Sequence, residues 1–244
     1  MPSEWNFARK HYRLELLNGR FLKVNRFEDR MRLDELQEYC VKYAPRHVFM
    51  SVMDWLRPEQ VGKKQTANHA LPIGGQYVVD VDHYVICAWH NHYFQSSLTK
   101  ICLGCLEKAR RLAVDVCERI ERYYSDVAVV FSGARGFHVW VFDFNVADWT
   151  KYDSSNPIKS YEVARLKFTR LLLAQSHGWN RDHFILSVDP MRVMTVPGSL
   201  NAVSGLMCSY IGKRQDLEKS TTRTTVEAAK PTMLIHGHPS LTRR

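Results

Sequence analysis

The sequence contains no long apolar run, no internal repeat and no low-complexity tract. No apolar stretch reaches the roughly 18 residues that a membrane span needs, which excludes an integral membrane protein. The first ten residues carry Glu4, Arg9 and Lys10 and lack the apolar core of a signal peptide. We therefore expect a protein without a membrane association that stays inside the cell, in the cytoplasm.

Two common nucleotide-binding patterns are also missing. The chain has neither the G-x-x-x-x-G-K-[ST] loop nor the G-x-G-x-x-G fingerprint, so neither a P-loop enzyme nor a Rossmann enzyme is indicated. What the 244 residues do have is a globular composition, with 45% hydrophobic and 24% charged residues. The net charge of +9 points toward a polyanionic partner, of which nucleic acid is the usual one, although charge alone does not prove this.

Helix and strand patterns are mixed along the chain without strict alternation, which favours an α+β (mixed α/β) fold in one domain over residues 1–244. Apolar spacing predicts helices over residues 33–43, from 103 to about 124, and 160–176. Strands are predicted over residues 47–52, 76–82, 127–131, 138–144, 184–188 and 192–196, with a loop over 59–75. The polar tail from about residue 213 is expected to be mobile.

Asp80 and Asp82 end the strand predicted over residues 76–82. Because side chains alternate along a strand, the two carboxylates of a D-x-D sequence lie on one face of the sheet. Two anions that close repel each other unless a cation lies between them. The pair therefore predicts a Mg²⁺ or Mn²⁺ site, and the alternative is a strand end whose carboxylates simply reach solvent.

Cys87, His90, His92, Cys102 and Cys105 are close together in the sequence. A C-x-x-C turn with a further cysteine and histidine nearby fits tetrahedral zinc, and four protein ligands make such a site closed and structural. We favour Cys87, His90, Cys102 and Cys105, because Cys87-x-x-His90 closes the tighter turn; His92 is the alternative to His90. The other interpretations are free thiols in a loop or a redox C-x-x-C pair, which would not need the outlying residues.

Ser132, Arg135 and His138 belong to a glycine-bearing turn between two predicted strands. Glycines let backbone N–H groups approach an anion, and the three side chains add hydroxyl, guanidinium and imidazole donors. This chemistry suits a triphosphate. The alternative is a hairpin turn with an incidental arginine, which is the more common situation for such a turn considered by itself.

The order of these features resembles the catalytic small subunit of archaeo-eukaryotic DNA primases over most of the chain. The sequence VDVD at 79–82 matches the D-x-D motif of that family, and FSGARGFH at 131–138 matches S-G-x-R-G-x-H. The segment TVPGSLN at 195–201 resembles R-x-P-G-S-L-H more loosely, and residues 44–51 are similar to the segment before the first motif. The Cys/His cluster falls where the family carries its zinc.

This resemblance implies a primase-type catalytic domain, with mixed central sheets flanked by helices and a small zinc-binding insertion at about 83–105. It also implies a DNA-directed nucleotidyltransferase that makes short RNA or DNA primers on single-stranded DNA from nucleoside triphosphates. Catalysis would use two Mg²⁺ or Mn²⁺ ions, with one structural Zn²⁺ elsewhere. The implied partner is a primase large subunit or another replication protein, and the implied location is with DNA, hence the nucleus in a eukaryote.

The same resemblance assigns roles to individual residues. Asp80 and Asp82 would hold the divalent ions with a third carboxylate, for which we favour Asp189 at the end of the FILSV strand. Asp182 is the alternative, because the family leaves a longer gap between its third aspartate and the P-G-S-L segment. The nucleotide's phosphates would be bound by the turn residues and the segments after it: Ser132, Arg135, His138, Arg192 and Asn201.

Three positions depart from the family pattern. Thr195, Asn201 and Val203 stand where the family tends to have Arg, His and Lys, which removes positive charge from the expected triphosphate site. Arg192 is a candidate replacement for that charge. The losses also motivate a second hypothesis, a catalytically silent relative that acts as a zinc-stabilised module for binding nucleic acid or a protein partner. The intact acidic pair favours the enzyme, since a silent relative has no reason to keep two repelling carboxylates on one strand face.

Overall fold

The computed structural model describes residues 7–24, 33–62, 69–82, 101–175, 184–186, 188–202 and 204–231. The strands are β1 (Tyr12–Glu15), β2 (Phe21–Val24), β3 (His47–Ser51), β4 (Met53–Trp55), β5 (Pro72–Gly75), β6 (Tyr77–Asp82), β7 (Val127–Phe131), β8 (Gly136–Val141), β9 (Phe184–Leu186), β10 (Val193–Thr195) and β11 (Ser209–Gly212). The helices are α1 (Leu33–Tyr43), α2 (Leu103–Ile120), α3 (Pro157–Ala174), α4 (Arg214–Lys219) and α5 (Thr222–Ala228).

The strands form two main sheets and a two-stranded ribbon. The first sheet has the order β10-β3-β1-β2, the second has the order β11-β7-β8-β6-β9, and β4 pairs with β5. Sheets and helices together confirm the α+β class. Every strand pairing within the described ranges is antiparallel, which corrects our expectation of mixed sheets. Antiparallel pairing follows where short turns join neighbours, as between β7 and β8.

The second sheet forms the centre of the core. All residues of β7 and β8 are buried, as their almost uninterrupted apolar sequences VAVVF and GFHVWV require. Helix α2 buries an apolar stripe with three- and four-residue spacing, namely Leu106, Ala109, Ala113, Val116, Cys117 and Ile120. On α3, Phe168 contacts the rings of Tyr77, Tyr124 and Phe144, with centroids 4.9–5.9 Å apart. One side of the sheet is thereby covered by helices.

Two expectations about loops need correction. The loop predicted over residues 59–75 contains β5, which pairs with β4 through the glycines at its end. The tail predicted to be mobile from about residue 213 instead forms α4 and α5, which bury Leu217, Thr222 and Thr225; residues 232–244 lie outside the described ranges. Both segments are polar on average, but a few buried side chains suffice to anchor short elements. None of the described helices combines the length and apolar character of a membrane span.

Candidate functional site

The acidic pair lies beside the turn that the sequence singled out. In the ladder between β6 and β8, Asp80 is opposite His138 and Asp82 is opposite Gly136. Directly opposite residues of an antiparallel pair share a sheet face, so the histidine is on the same face as both carboxylates. Its Nε2 atom lies 3.6 Å from Asp80 Oδ1. The register between β6 and β8 thus brings the D-x-D pair and the S-G-x-R-G-x-H turn together.

Gly136 is needed for this close approach. A Cβ atom at this position would lie 1.8 Å from the carbonyl oxygen of Val81 and 2.6 Å from Asp82 Oδ1. Both distances are far below van der Waals contact, and the nearest obstacle is backbone rather than a flexible side chain. The second glycine of the S-G-x-R-G-x-H sequence therefore makes room for the strand that carries the acidic pair.

Two arginines neutralise the carboxylates. Arg192, in the connection before β10, donates a hydrogen bond from Nη2 to Asp80 Oδ2 at 2.9 Å. Arg135, in the turn between β7 and β8, places Nη2 3.8 Å from Asp82 Oδ2, and its side chain is 42% exposed. Asp80 and Asp82 are themselves largely buried. Two buried anions on one strand face are thus balanced by cations from two different segments, as the low dielectric of the interior requires.

Burial changes the protonation of the groups on this face. Removal from water raises the pKa of the Asp80 carboxyl, and the Arg192 guanidinium opposes that change. Burial also lowers the pKa of His138 to about 4, against the opposite pull of Asp82. His138 is therefore neutral at pH 7, and its buried Nδ1 atom makes no hydrogen bond within the described part of the chain.

The turn between β7 and β8 is stabilised by its own serine. Ser132 Oγ accepts hydrogen bonds from the backbone N–H groups of Ala134 and Gly136, at 3.4 and 3.2 Å. Gly133 has φ = +83°, a conformation that favours glycine. Because hydroxyl oxygen can accept while its proton is donated elsewhere, Ser132 keeps the capacity to donate to an anion.

Asn201 supports this turn from behind. Its Nδ2 atom donates to the carbonyl oxygen of Ser132 at 3.2 Å, and Ser204 Oγ donates to the carbonyl of Gly133. A Cβ atom on Gly133 would lie 3.0 Å from Asn201 Cβ, so the two segments are packed closely. We expected Asn201 to bind phosphate. The structure places its amide on the turn's backbone, where the contact positions Ser132 and Arg135.

The two sheets meet at the site, since Arg192, just before β10 of the first sheet, is hydrogen bonded to Asp80 on β6 of the second. His47, the first residue of β3, shares a 2.9 Å hydrogen bond between its Nε2 atom and Thr195 Oγ1 of β10. Burial lowers the pKa of His47 to about 4; Glu15 opposes this change, and the nearby charge of Arg46 reinforces it. The sequence shows His47 at the start of an apolar strand, but no spacing rule connects it with His138, which is 91 positions later. For that reason, His47 was not predicted to lie near the site.

Asp189, the favoured third carboxylate, does not join the pair. It is exposed, and its Oδ1 atom accepts a hydrogen bond from the N–H of Met191 at 2.9 Å. This local contact is typical of an Asp-Pro turn, and the turn directs Arg192 rather than a carboxylate toward Asp80. Among the described residues no three His, Cys, Asp or Glu side chains form a group that could hold a metal ion. Asp182 lies outside the described ranges.

The predicted zinc ligands are only partly described. Cys102 and Cys105 are half-buried at the start of α2, where Cys102 Sγ accepts a hydrogen bond from the N–H of Cys105 at 3.4 Å. Cys87, His90 and His92 lie outside the described residues. The C-x-x-C turn therefore opens a helix as expected, and the assignment of zinc stays a prediction.

A buried charge cluster underlies the segment that carries Arg192. Lys10 and Arg165 are 1% and 0% exposed, and the Lys10 ammonium lies 2.9 Å from Asp54 Oδ1. Gln76 donates to Asp54 Oδ2 at 3.1 Å and accepts a hydrogen bond from Lys10. Arg165 donates to the carbonyl oxygens of Gln76 at 2.8 Å and Asp189 at 3.4 Å. This cluster links α3 and β4 to the start of the Asp189–Arg192 turn.

Comparisons with known proteins agree with the motifs. No protein-family model matches the chain. It is 25% identical over 201 residues to the DNA primase small subunit PriS of Sulfolobus acidocaldarius, covering 71% of this chain and 61% of that protein. It is 28% identical over 219 residues to PriS of Pyrobaculum calidifontis (77% and 66%), and 24% identical over 244 aligned residues to PriS of Pyrobaculum arsenaticum (86% and 73%).

The chain thus spans less than two thirds of the length of the first two of these relatives. Among solved structures, the polymerase domain of Mycobacterium tuberculosis Ligase D in complex with DNA superposes with a TM-score of 0.46 and 8% identity, over 91% of this chain and 82% of that one. By sequence, the chain is similar to DNA primase small subunits over most of its length, which confirms the resemblance inferred from its motifs.

Proposed function

We propose that the chain is a primase-type nucleotidyltransferase that joins nucleoside triphosphates into short RNA or DNA on a single-stranded DNA template. The observation that carries this proposal is the convergence of Asp80 and Asp82 with Arg135, His138 and Arg192 on one face of the second sheet. Paired carboxylates next to arginine and imidazole donors are suited to a metal-bound triphosphate. The named relatives support the same reaction class.

The residues fit a divalent cation of the Mg²⁺ or Mn²⁺ type. Asp80 and Asp82 offer only oxygen ligands, which these hard cations prefer, and both carboxylates already lie against positive charge. Bound ions of this type would activate the attacking hydroxyl and stabilise the departing pyrophosphate. Asp182 and Asp189 remain the two predicted candidates for a third carboxylate, and Asp189 would have to leave its turn contact to reach the pair.

The phosphates would be bound by the side chains around the acidic pair. Arg135 and Ser132 are held at the tip of the β7–β8 turn, and neutral His138 can donate one N–H. Arg192 donates to Asp80 Oδ2, so a cation bound at that oxygen would repel the guanidinium and favour its movement. A triphosphate would offer Arg192 a new anionic partner at the moment when it gives up the carboxylate. This is how Arg192 could replace the positive charge that Thr195 and Asn201 do not supply.

A structural Zn²⁺ held by Cys87, His90 (or His92), Cys102 and Cys105 would stabilise the segment 83–105. The N–H···S contact at Cys102 supports that part of the proposal, since it orients the Cys102 sulfur at the start of α2. A large subunit or another replication protein would be a further partner, and the chain would act inside the cell where DNA is replicated.

One observation favours the second candidate, a silent relative that only binds nucleic acid or a protein partner. Arg192 already neutralises Asp80, as a structural ion pair would. The enzyme is the stronger candidate, because a purely structural role explains neither the second carboxylate nor the glycine that lets Asp82 approach the turn.

The two candidates are separated by a template assay. The full chain is incubated with single-stranded DNA, ribo- or deoxynucleotides, and Mg²⁺ or Mn²⁺, and the products are resolved by length. Asp80→Asn and Asp82→Asn should abolish incorporation, whereas the matched control Asp115→Asn, on the surface of α2, should not. Incorporation that survives both substitutions would reject the assigned site. Comparing unprimed with primed templates shows whether the chain initiates synthesis or extends existing ends.

A further inference from the structure

The face of the first sheet that contains His47 carries a group of rings and cations that the reaction chemistry does not use. It comprises Arg13, Phe21, Lys23, His47 and Phe49, which we call the ring face. Arg13 is opposite both Phe49 and Lys23 in the ladders, while Glu15 is opposite both His47 and Phe21. Because opposite residues and every second residue of a strand share a face, these side chains all lie on the same side of the sheet.

The three rings form a connected row. The ring centroids of His47 and Phe49 are 4.1 Å apart, and those of Phe49 and Phe21 are 6.2 Å apart. Exposure increases along the row, from the largely buried His47 through the half-buried Phe49 to Phe21, which is 58% exposed. An exposed phenylalanine on an open sheet face costs solubility, and such a patch next to a functional site is typical of a binding surface.

The charges on this face are predominantly positive. Glu15 is the acidic side chain within the row, and Arg46 neutralises it through a salt bridge. Arg13 and Lys23 contribute two further positive charges, with Arg13 donating from Nε to His11 at 3.2 Å. His47 is neutral at pH 7. The rings are therefore flanked by cations, the combination with which proteins hold a nucleic-acid strand by its bases and its phosphates at once.

The ring face is continuous with the candidate active site. At its inner end, His47 is hydrogen bonded to Thr195 on β10, the strand that directly follows Arg192, the partner of Asp80. Thr195 on β10 is followed across the sheet by the directly opposed residues Phe49 on β3, Arg13 on β1 and Lys23 on β2. The distance from Thr195 to Lys23 is three strand spacings of 4.7–4.9 Å, about 14 Å in all. At about 3.4 Å per stacked nucleotide, this is room for about four nucleotides leading away from the acidic pair.

We propose that the ring face binds single-stranded nucleic acid, with bases stacked on Phe21 and Phe49 and phosphates held by Arg13 and Lys23. That the bound strand is the template rests on the proposed function; that a strand binds here does not. Unpaired bases are required, because the faces of paired bases inside a duplex are covered by their neighbours.

The test measures binding of a fluorescently labelled oligothymidylate of about 12 nucleotides to the full chain by anisotropy, without nucleotide or divalent cation. Phe21→Ala should weaken binding about 5- to 140-fold, the range expected for losing one base–aromatic stack. Lys23→Gln should reduce the slope of log K against log salt by about 0.7, the value for one lost phosphate contact on a single strand.

Matched controls come from α1. Tyr43→Ala removes a partly exposed ring, and Lys42→Gln removes a cation, at positions away from the ring face. Both variants should bind as the unsubstituted chain does. Unchanged binding by Phe21→Ala and Lys23→Gln would overturn the proposal, and so would an equal loss of affinity for duplex and single strand.

A measurement on the unsubstituted chain guards against misfolding of the variants. A bromodeoxyuridine-containing oligonucleotide, irradiated in the complex, should crosslink to peptides that contain Phe21 or Phe49; crosslinks confined to other segments would overturn the proposal. The Asp80→Asn variant keeps this outcome separate from the proposed function. It should bind the oligonucleotide normally while lacking incorporation, whereas normal incorporation by Asp80→Asn would reject the assigned reaction site and leave the binding result intact.

Discussion

The buried cluster of Lys10, Asp54 and Arg165 allows a quantitative test of what holds the site together. The two cations are almost fully buried, and Asp54 is the carboxylate that lies against Lys10 at 2.9 Å. Burial lowers the pKa of Lys10, and Asp54 opposes that change both by its charge and by its hydrogen bond. Replacing Asp54 with asparagine preserves the shape of the side chain and removes the negative charge.

We expect Asp54→Asn to lower the free energy of unfolding by about 3–5 kcal/mol, the usual cost of leaving a buried charge without its partner. For a chain of this size, about 2–4 °C per kcal/mol corresponds to a fall in Tm of roughly 6–20 °C. Lys10 can escape part of this cost by releasing its proton, because a neutral amine tolerates burial. The loss should therefore be smaller at about pH 9 than at about pH 6.

Urea unfolding followed by circular dichroism at both pH values measures the effect. Asp115→Asn is the matched control, since Asp115 pairs with Arg119 on the surface of α2 and should contribute about 0–1 kcal/mol. Lys10→Met in the Asp54→Asn background should recover part of the stability. If Asp54→Asn costs no more than Asp115→Asn, or if its cost does not vary with pH, the reasoning about buried charge is wrong.

Three further predictions concern the site and its surroundings. Gly136→Ala should lower the free energy of unfolding in urea by more than about 2 kcal/mol, because its Cβ would lie 1.8 Å from the Val81 carbonyl oxygen. The control Gly104→Ala in α2 would have no atom closer than 3.8 Å to its Cβ and should be neutral or stabilising. Burial holds the pKa of His47 at about 4, below its unfolded value of 6.5. The stability that depends on neutral His47 is therefore complete above pH 6.5 and is lost as the pH falls toward 4. This loss, about 1–3 kcal/mol in the free energy of unfolding, should be smaller in His47→Gln. Metal analysis should find about one zinc per chain, lost in Cys102→Ser and retained in the control Cys117→Ser, whose thiol is buried in the core; zinc-free purified protein would contradict the assignment.

The long, strongly patterned elements could be predicted from sequence. Residues 33–43 and 127–131 were predicted with the bounds that the structure shows, and the start of α2 at residue 103 was also correct. The strand 127–131 is an uninterrupted apolar run, and α2 buries an apolar stripe with helical spacing. By contrast, β1, β2 and β11 were missed, since four-residue strands such as YRLE and FLKV contain too few alternations to stand out from loops.

Sequence by itself determined which chemistry this chain could hold. The D-x-D spacing placed two carboxylates on one strand face, and the glycine-rich turn predicted donors for an anion, because both features depend only on local geometry. Which residues meet was decided by the tertiary structure. Strand register set Asp80 against His138, an Asx turn at Asp189 sent Arg192 to the acidic pair, and the pairing of β3 with β10 brought His47 to Thr195. Such contacts join residues about 60 to 150 positions apart, and no local pattern encodes a distance of that kind.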